Sequence, residues 1–165
     1  MNAFVIDAFE FCRLKEQRNG EFPVEALPRL AEESVDRSGS VVWSLQGGKN
    51  LHGHPQMTLS VSGKIKLLCQ RCLTPLDFAI DSGAVLVLAP DEDSADEMDA
   101  LLSDEDVEVI VGSHAFDIRQ LVEDEALLTI PLSPRHEACE KRLVVDSVPE
   151  VKKESPFAVL KNLKK

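Results

Sequence analysis

Residues 58–80 read TLSVSGKIKLLCQRCLTPLDFAI, and the period of this stretch decides the fold. Leu59, Val61, Ile65 and Leu67 fall on one side of an extended chain, while Thr58, Ser60, Ser62, Lys64 and Lys66 fall on the other. A period of two with one apolar and one polar side is a half-buried β-strand. Alternation stops at CQRCLTP and resumes with Leu76, Phe78 and Ile80. Cys69 and Cys72 therefore lie in a turn between two antiparallel strands.

Downstream, GAVLVLA is a further strand and VEVIVGSHAFDI returns with Val107, Val109 and Val111 on one face. DIRQLVEDEALL reads as a helix, with Asp117 as N-cap, Gln120 three residues on, and Ile118, Leu121 and Val122 as its apolar stripe. Pro131 and Pro134 prevent it from continuing. Upstream, SVVWSLQ alternates Val41, Trp43 and Leu45, and GGKNLHGHPQ is a loop by its glycines and proline. Leu27, Leu30, Ala31 and Val35 have helical spacing, and Pro28 is compatible with a helix only in the first turn. The chain is expected to be α+β: five or six mainly antiparallel strands able to curl into a partly open barrel, two short helices and an extended basic C-terminal tail.

Charge divides the 165 residues, whose formal net charge is -11. From Asp91 to Glu108 there are ten acids and no base, and this composition predicts a mobile acidic loop over 91–106. From residue 152 the chain reads KKESPFAVLKNLKK, with five lysines against Glu154. We expect one domain over 1–150 and a separate basic, apolar tail over 151–165. Such a net charge disfavours non-specific phosphate binding by the body, because that affinity comes from Lys and Arg displacing counterions. The opening MNAFVIDAFEFCRLKEQRNG lacks the marks of a signal peptide, and no window reaches membrane-spanning length. A cytoplasmic protein without membrane contact is the expectation.

The cysteines carry the most chemistry. In a reducing compartment Cys12, Cys69, Cys72 and Cys139 are thiols or metal ligands rather than disulfides. A thioredoxin-like pair needs a strand feeding a helix whose positive end lowers the thiol pKa, and the segment after Cys72 has strand periodicity instead. Two readings stay open. Cys69, Cys72, His136 and Cys139 can close a structural zinc site, although 63 residues separate Cys72 from His136. Alternatively the thiols are small packing residues that hold the turn. On either reading no cofactor is required for catalysis. His52 and His54 sit in a glycine-rich loop where solvated histidines are ordinary. There is no nucleophile elbow, triad or phosphate-binding glycine loop. Nothing reads as an active site, and the chain is expected not to be an enzyme.

Three motifs in order, CQRCL after an alternating strand, FDIRQLVEDEALLTIPLSPRH with a following cysteine, and the terminal SPFAVLKNLKK, resemble the YceD family, the large ribosomal RNA subunit accumulation proteins of bacteria and plastids. The likeness runs from about residue 58 to the end. It implies a non-enzymatic role in the synthesis, processing or accumulation of large-subunit rRNA during ribosome assembly. The family's characteristic positions map onto Cys69, Arg71, Cys72, Glu123, Asp124, Glu125, Pro131, Pro134, Pro156 and Phe157.

The expected partner is the large-subunit precursor or its rRNA. Lys152, Lys153, Lys161, Lys164 and Lys165 are the expected phosphate contacts, with Arg71 beside them and Phe157 as an apolar anchor. A protein adaptor that recruits a basic ribosomal or assembly protein through its acidic stretch is the alternative.

Overall fold

The computed structural model describes residues 3–139. In chain order the elements are β1 (Val5–Ile6), α1 (Ala8–Arg13), β2 (Gln17–Pro23), a 3-10 turn (Val24–Ala26), α2 (Pro28–Glu33), β3 (Ser40–Lys49), β4 (Pro55–Leu68), β5 (Pro75–Ala89), α3 (Glu92–Leu101), β6 (Glu108–Val111), β7 (Phe116–Asp117) and α4 (Ile118–Leu128). The fold is α+β. Its main sheet runs β2-β3-β4-β5-β6, and β1 pairs with β7 in a small second sheet.

The alternating parts of the stretch 58–80 lie within β4 and β5, inside this sheet. β4 and β5 pair antiparallel from Gln56↔Val87 to Leu68↔Pro75, so the CQRCLT turn closes a long hairpin. Leu59, Val61, Ile65 and Leu67 are all buried, as are Val41, Trp43 and Leu45 opposite them on β3. Phe11 of α1, Leu30 of α2 and Ile118, Val122 and Ala126 of α4 join the same core. The tail and the domain boundary at 150/151 lie outside the described residues.

Several elements differ from expectation. Among the described residues there are four α-helices, because α1 and α3 join the two expected ones, and the sheet is open at β2 and β6 without barrel closure. It is also mixed, since β6 runs parallel to β5. A parallel neighbour requires a crossover connection, and α3 is that connection. The loop reading of 91–106 is thereby corrected: Glu92–Leu101 is a helix, N-capped by the Asp91 carboxylate accepting from Ser94 N at 2.8 Å. Ala95, Met98 and Leu102 recur at helical spacing and bury against Val87 and Ala89, with Val107 and Val109 alongside. Leu86 and Leu88 alternate with Val87 and Ala89 and enter the main core. The end of β5 is therefore covered on both faces, and that is why it reads as an unbroken apolar run. The acids of α3 remain exposed on its outer side.

Glu123 fastens two of the helices together. α2 begins at Pro28 and has no side-chain cap of its own. The buried Glu123 carboxylate on α4 accepts instead from Arg29 N at 2.7 Å and Leu30 N at 3.2 Å. The Arg29 guanidinium reaches the same carboxylate at 3.0 Å and Asp124 at 2.6 Å. Glu125 accepts from the Ser82 hydroxyl on β5. Each acid of the second motif's triplet thus makes a contact within the fold.

Candidate functional site

The β4–β5 turn is a tight knuckle. Cys69 N donates to Thr74 O at 3.0 Å and Leu73 N to Cys69 O at 2.9 Å, with Leu73 in the left-handed region at φ 56°. Leucine seldom adopts that conformation and holds it only where its surroundings fix it. After α4 the chain returns to this turn without regular secondary structure. Gln70 N donates to Pro134 O at 2.8 Å, and the Arg71 guanidinium to His136 O at 2.8 Å.

These contacts bring all four sequence-predicted ligands together. The sulfurs of Cys69, Cys72 and Cys139 and a ring nitrogen of His136 lie within 4.8 Å of one another. Cys69 Sγ and Cys139 Sγ are 3.8 Å apart, and Cys72 Sγ is 3.3 Å from His136 Nδ1. His136 Nε2 lies 3.2 Å from Pro75 O. A carbonyl can only accept, so it draws the ring proton to Nε2 and leaves the Nδ1 lone pair facing the sulfurs. All four cysteines are free thiols, and Cys12 lies apart in the core, with Gln56 O as its hydrogen-bond partner.

The environment polarises the cluster. Burial pushes the Cys69 thiol up, but backbone N–H groups of Cys72, His136 and Arg71 outweigh it and bring the thiol down to about 5. The Thr74 hydroxyl, against the opposing effect of burial, lowers Cys72. Cys69 and Cys72 raise His136 by hydrogen bonding, and burial raises Cys139. Electron-rich sulfur around one small space is an arrangement that holds a soft or borderline cation. It differs from a redox dithiol, which sits where a helix begins.

Arg71 is exposed and has one guanidinium nitrogen engaged with His136 O. That bond ties it to the 131–139 segment, a contact that the spacing of charges does not disclose. Lys64 and Lys66 lie along the outer face of β4, and Lys66 is paired across the sheet with Asp77. Lys152, Lys153, Phe157, Lys161, Lys164 and Lys165 lie outside the described residues. The role of Glu123 as a cap on a distant helix was also missed, because nothing local in either segment signals it.

A sequence profile described as "Large ribosomal RNA subunit accumulation protein YceD" matches residues 57–164. The chain belongs to the YceD family. A protein of Haemophilus influenzae with the same description is 32% identical, covering 88% of this chain and 86% of its own length. The YceD match contains both halves of the Cys/His cluster and the Glu123 triplet. No solved structure matches. Among the described residues no helix is long and apolar enough to cross a membrane.

Proposed function

We propose that this protein is a non-enzymatic factor that binds the large-subunit precursor in the cytoplasm and supports the accumulation of its rRNA. YceD membership carries the reading, since the family description concerns large ribosomal RNA subunit accumulation. The lysines at 152, 153, 161, 164 and 165 suit sequence-independent phosphate contact, and Phe157 suits an apolar or stacking contact. Replacing all five lysines by glutamine tests the tail. Each lost phosphate contact should remove about 0.7 to 0.9 from the logarithmic salt slope of precursor-RNA binding. Phe157→Ser should weaken binding with that slope nearly unchanged. Parental RNA binding and parental levels of large-subunit rRNA in the five-lysine strain would refute a role for the tail. Normal subunit ratios in sucrose gradients from cells lacking the protein would refute the assembly reading.

One observation favours a second reading, that of an adaptor. Glu92, Asp93, Asp96, Glu97 and Asp99 are exposed on a docked helix, which gives a fixed acidic surface suited to a basic ribosomal or assembly protein. Crosslinks from the chain to basic proteins alone, with none to RNA, would favour it over direct RNA binding.

A further inference from the structure

We propose that Cys69, Cys72, His136 and Cys139 bind one zinc ion as a closed structural site that fastens residues 131–139 to the β4–β5 turn. The argument begins with the spacing of the donors. A tetrahedral zinc with Zn–S bonds of about 2.3 Å places two sulfurs about 3.8 Å apart, and a Zn–N bond of about 2.0–2.1 Å makes the mixed edge about 3.6 Å. The observed Cys69–Cys139 and Cys72–His136 separations, 3.8 Å and 3.3 Å, are close to those edges. Four donors complete the tetrahedron and leave no open position, which is the pattern of a structural rather than a catalytic zinc.

The surroundings supply what a metal site needs beyond its ligands. Metal-bound histidine typically donates its other ring N–H to a carbonyl or carboxylate, which fixes the tautomer. The Pro75 carbonyl occupies that place for His136. Three thiols and an imidazole packed for their own sake would gain little, because sulfur is a weak donor and a weak acceptor.

The ion would also do mechanical work. Residues 131–139 have no helix or strand, and only the Gln70–Pro134 and Arg71–His136 hydrogen bonds connect their backbone to the turn. Two of the four ligands lie in this segment, so the metal converts a thin attachment into a crosslink. Everything from residue 140 onward, including the five lysines, continues from a metal ligand.

The test uses the full chain, without a histidine tag, purified in reductant and without chelator. Elemental analysis should find about one zinc per chain. The metal-stripped, reduced chain titrated with cobalt(II) should show the intense visible bands of tetrahedral thiolate-bound cobalt, and zinc should bleach them. Cys72→Ser and His136→Ala should each weaken zinc binding more than about 100-fold, since losing even an outer partner of a ligand costs about 10–100-fold. His136→Cys should keep the metal, because four thiolates also close the tetrahedron, and Cys12→Ala should keep it too. Stripping zinc should speed hydrogen exchange at Gln70 while the β3–β4 amides stay protected. Absence of zinc together with a pale, octahedral cobalt spectrum in the parent would overturn the proposal. So would a His136→Ala chain that binds zinc as tightly as the parent.

Discussion

Replacing Glu123 by alanine should cost more stability than any other single change to a charged residue of the described fold. Its carboxylate is buried and accepts from two first-turn N–H groups of α2 and from the Arg29 side chain. Removing the acceptor orphans those two N–H groups, and Leu30, whose N–H is one of them, has no exposed surface. An unsatisfied buried donor costs about 1–3 kcal/mol, so two, one of them nearer to solvent, amount to about 2–4 kcal/mol. For a chain of this length each kcal/mol moves the melting temperature by about 2–4 °C, which predicts a fall of roughly 4–16 °C. Glu123→Gln separates capping from charge. Its amide oxygen can still accept from both N–H groups, whereas its NH2 opposes the guanidinium, so its loss should be clearly smaller than that of alanine. Arg29→Ala keeps both backbone bonds and should also fall short of Glu123→Ala. Urea unfolding monitored by circular dichroism gives all three values. If Glu123→Ala lies within about 0.5 kcal/mol of the parent, the ordinary range for surface changes, the capping argument is wrong.

Two further expectations concern the acidic helix and the N-terminal cap. Met98→Ala should destabilise the chain by about 2 kcal/mol, the low end for a buried methionine in a satellite cluster, and should speed hydrogen exchange over residues 92–101 while β3 and β4 stay protected. Unchanged exchange there would mean that α3 does not dock through Met98. Asp7 caps α1 through Phe9 N and Glu10 N and also contacts His114. The His114 hydrogen bond, then the Glu10 N–H, hold its carboxyl below the usual 3.8. A depressed carboxylate stabilises the fold above its unfolded value, and that contribution disappears as pH falls through the lower folded value. Carboxyl NMR should therefore place the Asp7 midpoint below that of a free aspartate and move it upward in His114→Ala, and a midpoint unmoved by that change would refute the contact.

The parts of the fold that could be read from the sequence are those where a single physical signal dominates. The alternation of Leu59, Val61, Ile65 and Leu67 defined β4, and Pro28 pointed to the first turn of α2, where it stands. The acidic stretch misled because ten carboxylates hid a three-residue stripe, Ala95, Met98 and Leu102, that is itself helical. Asp91 as N-cap and Glu92 and Asp93 in the first turn were also helix signals, since negative charge there complements the helix dipole. β2 left almost no trace, because an edge strand with one buried side chain, Phe22, and the polar run Gln17–Glu21 has little period to detect.

The Cys/His cluster illustrates how a long separation in sequence becomes a short one in space. Sixty-three residues lie between its halves, and composition offers no reason for them to meet. The fold supplies the reason. β4 and β5 form a long hairpin whose turn lies beyond Leu68 and Pro75, and α4 packs across both strands before releasing the chain at Leu128. Residues 129–139 suffice to reach the turn, and Pro131 and Pro134 keep the segment from continuing the helix. Glu123 fixes α4 against α2, and Ser82 with Glu125 fixes it against β5, so the starting point of that return path is set by charged contacts on the same helix. The motif that carries Glu123–Glu125 and the motif that carries the cysteines are therefore parts of one construction: the first positions α4, and α4 delivers His136 and Cys139 to the knuckle. A chain with Glu123→Ala should consequently lose zinc affinity as well as stability if the ion is bound as proposed, because a displaced α4 misplaces two of the four ligands. Parental zinc affinity in a folded Glu123→Ala chain would show that the segment after Leu128 finds the turn on its own.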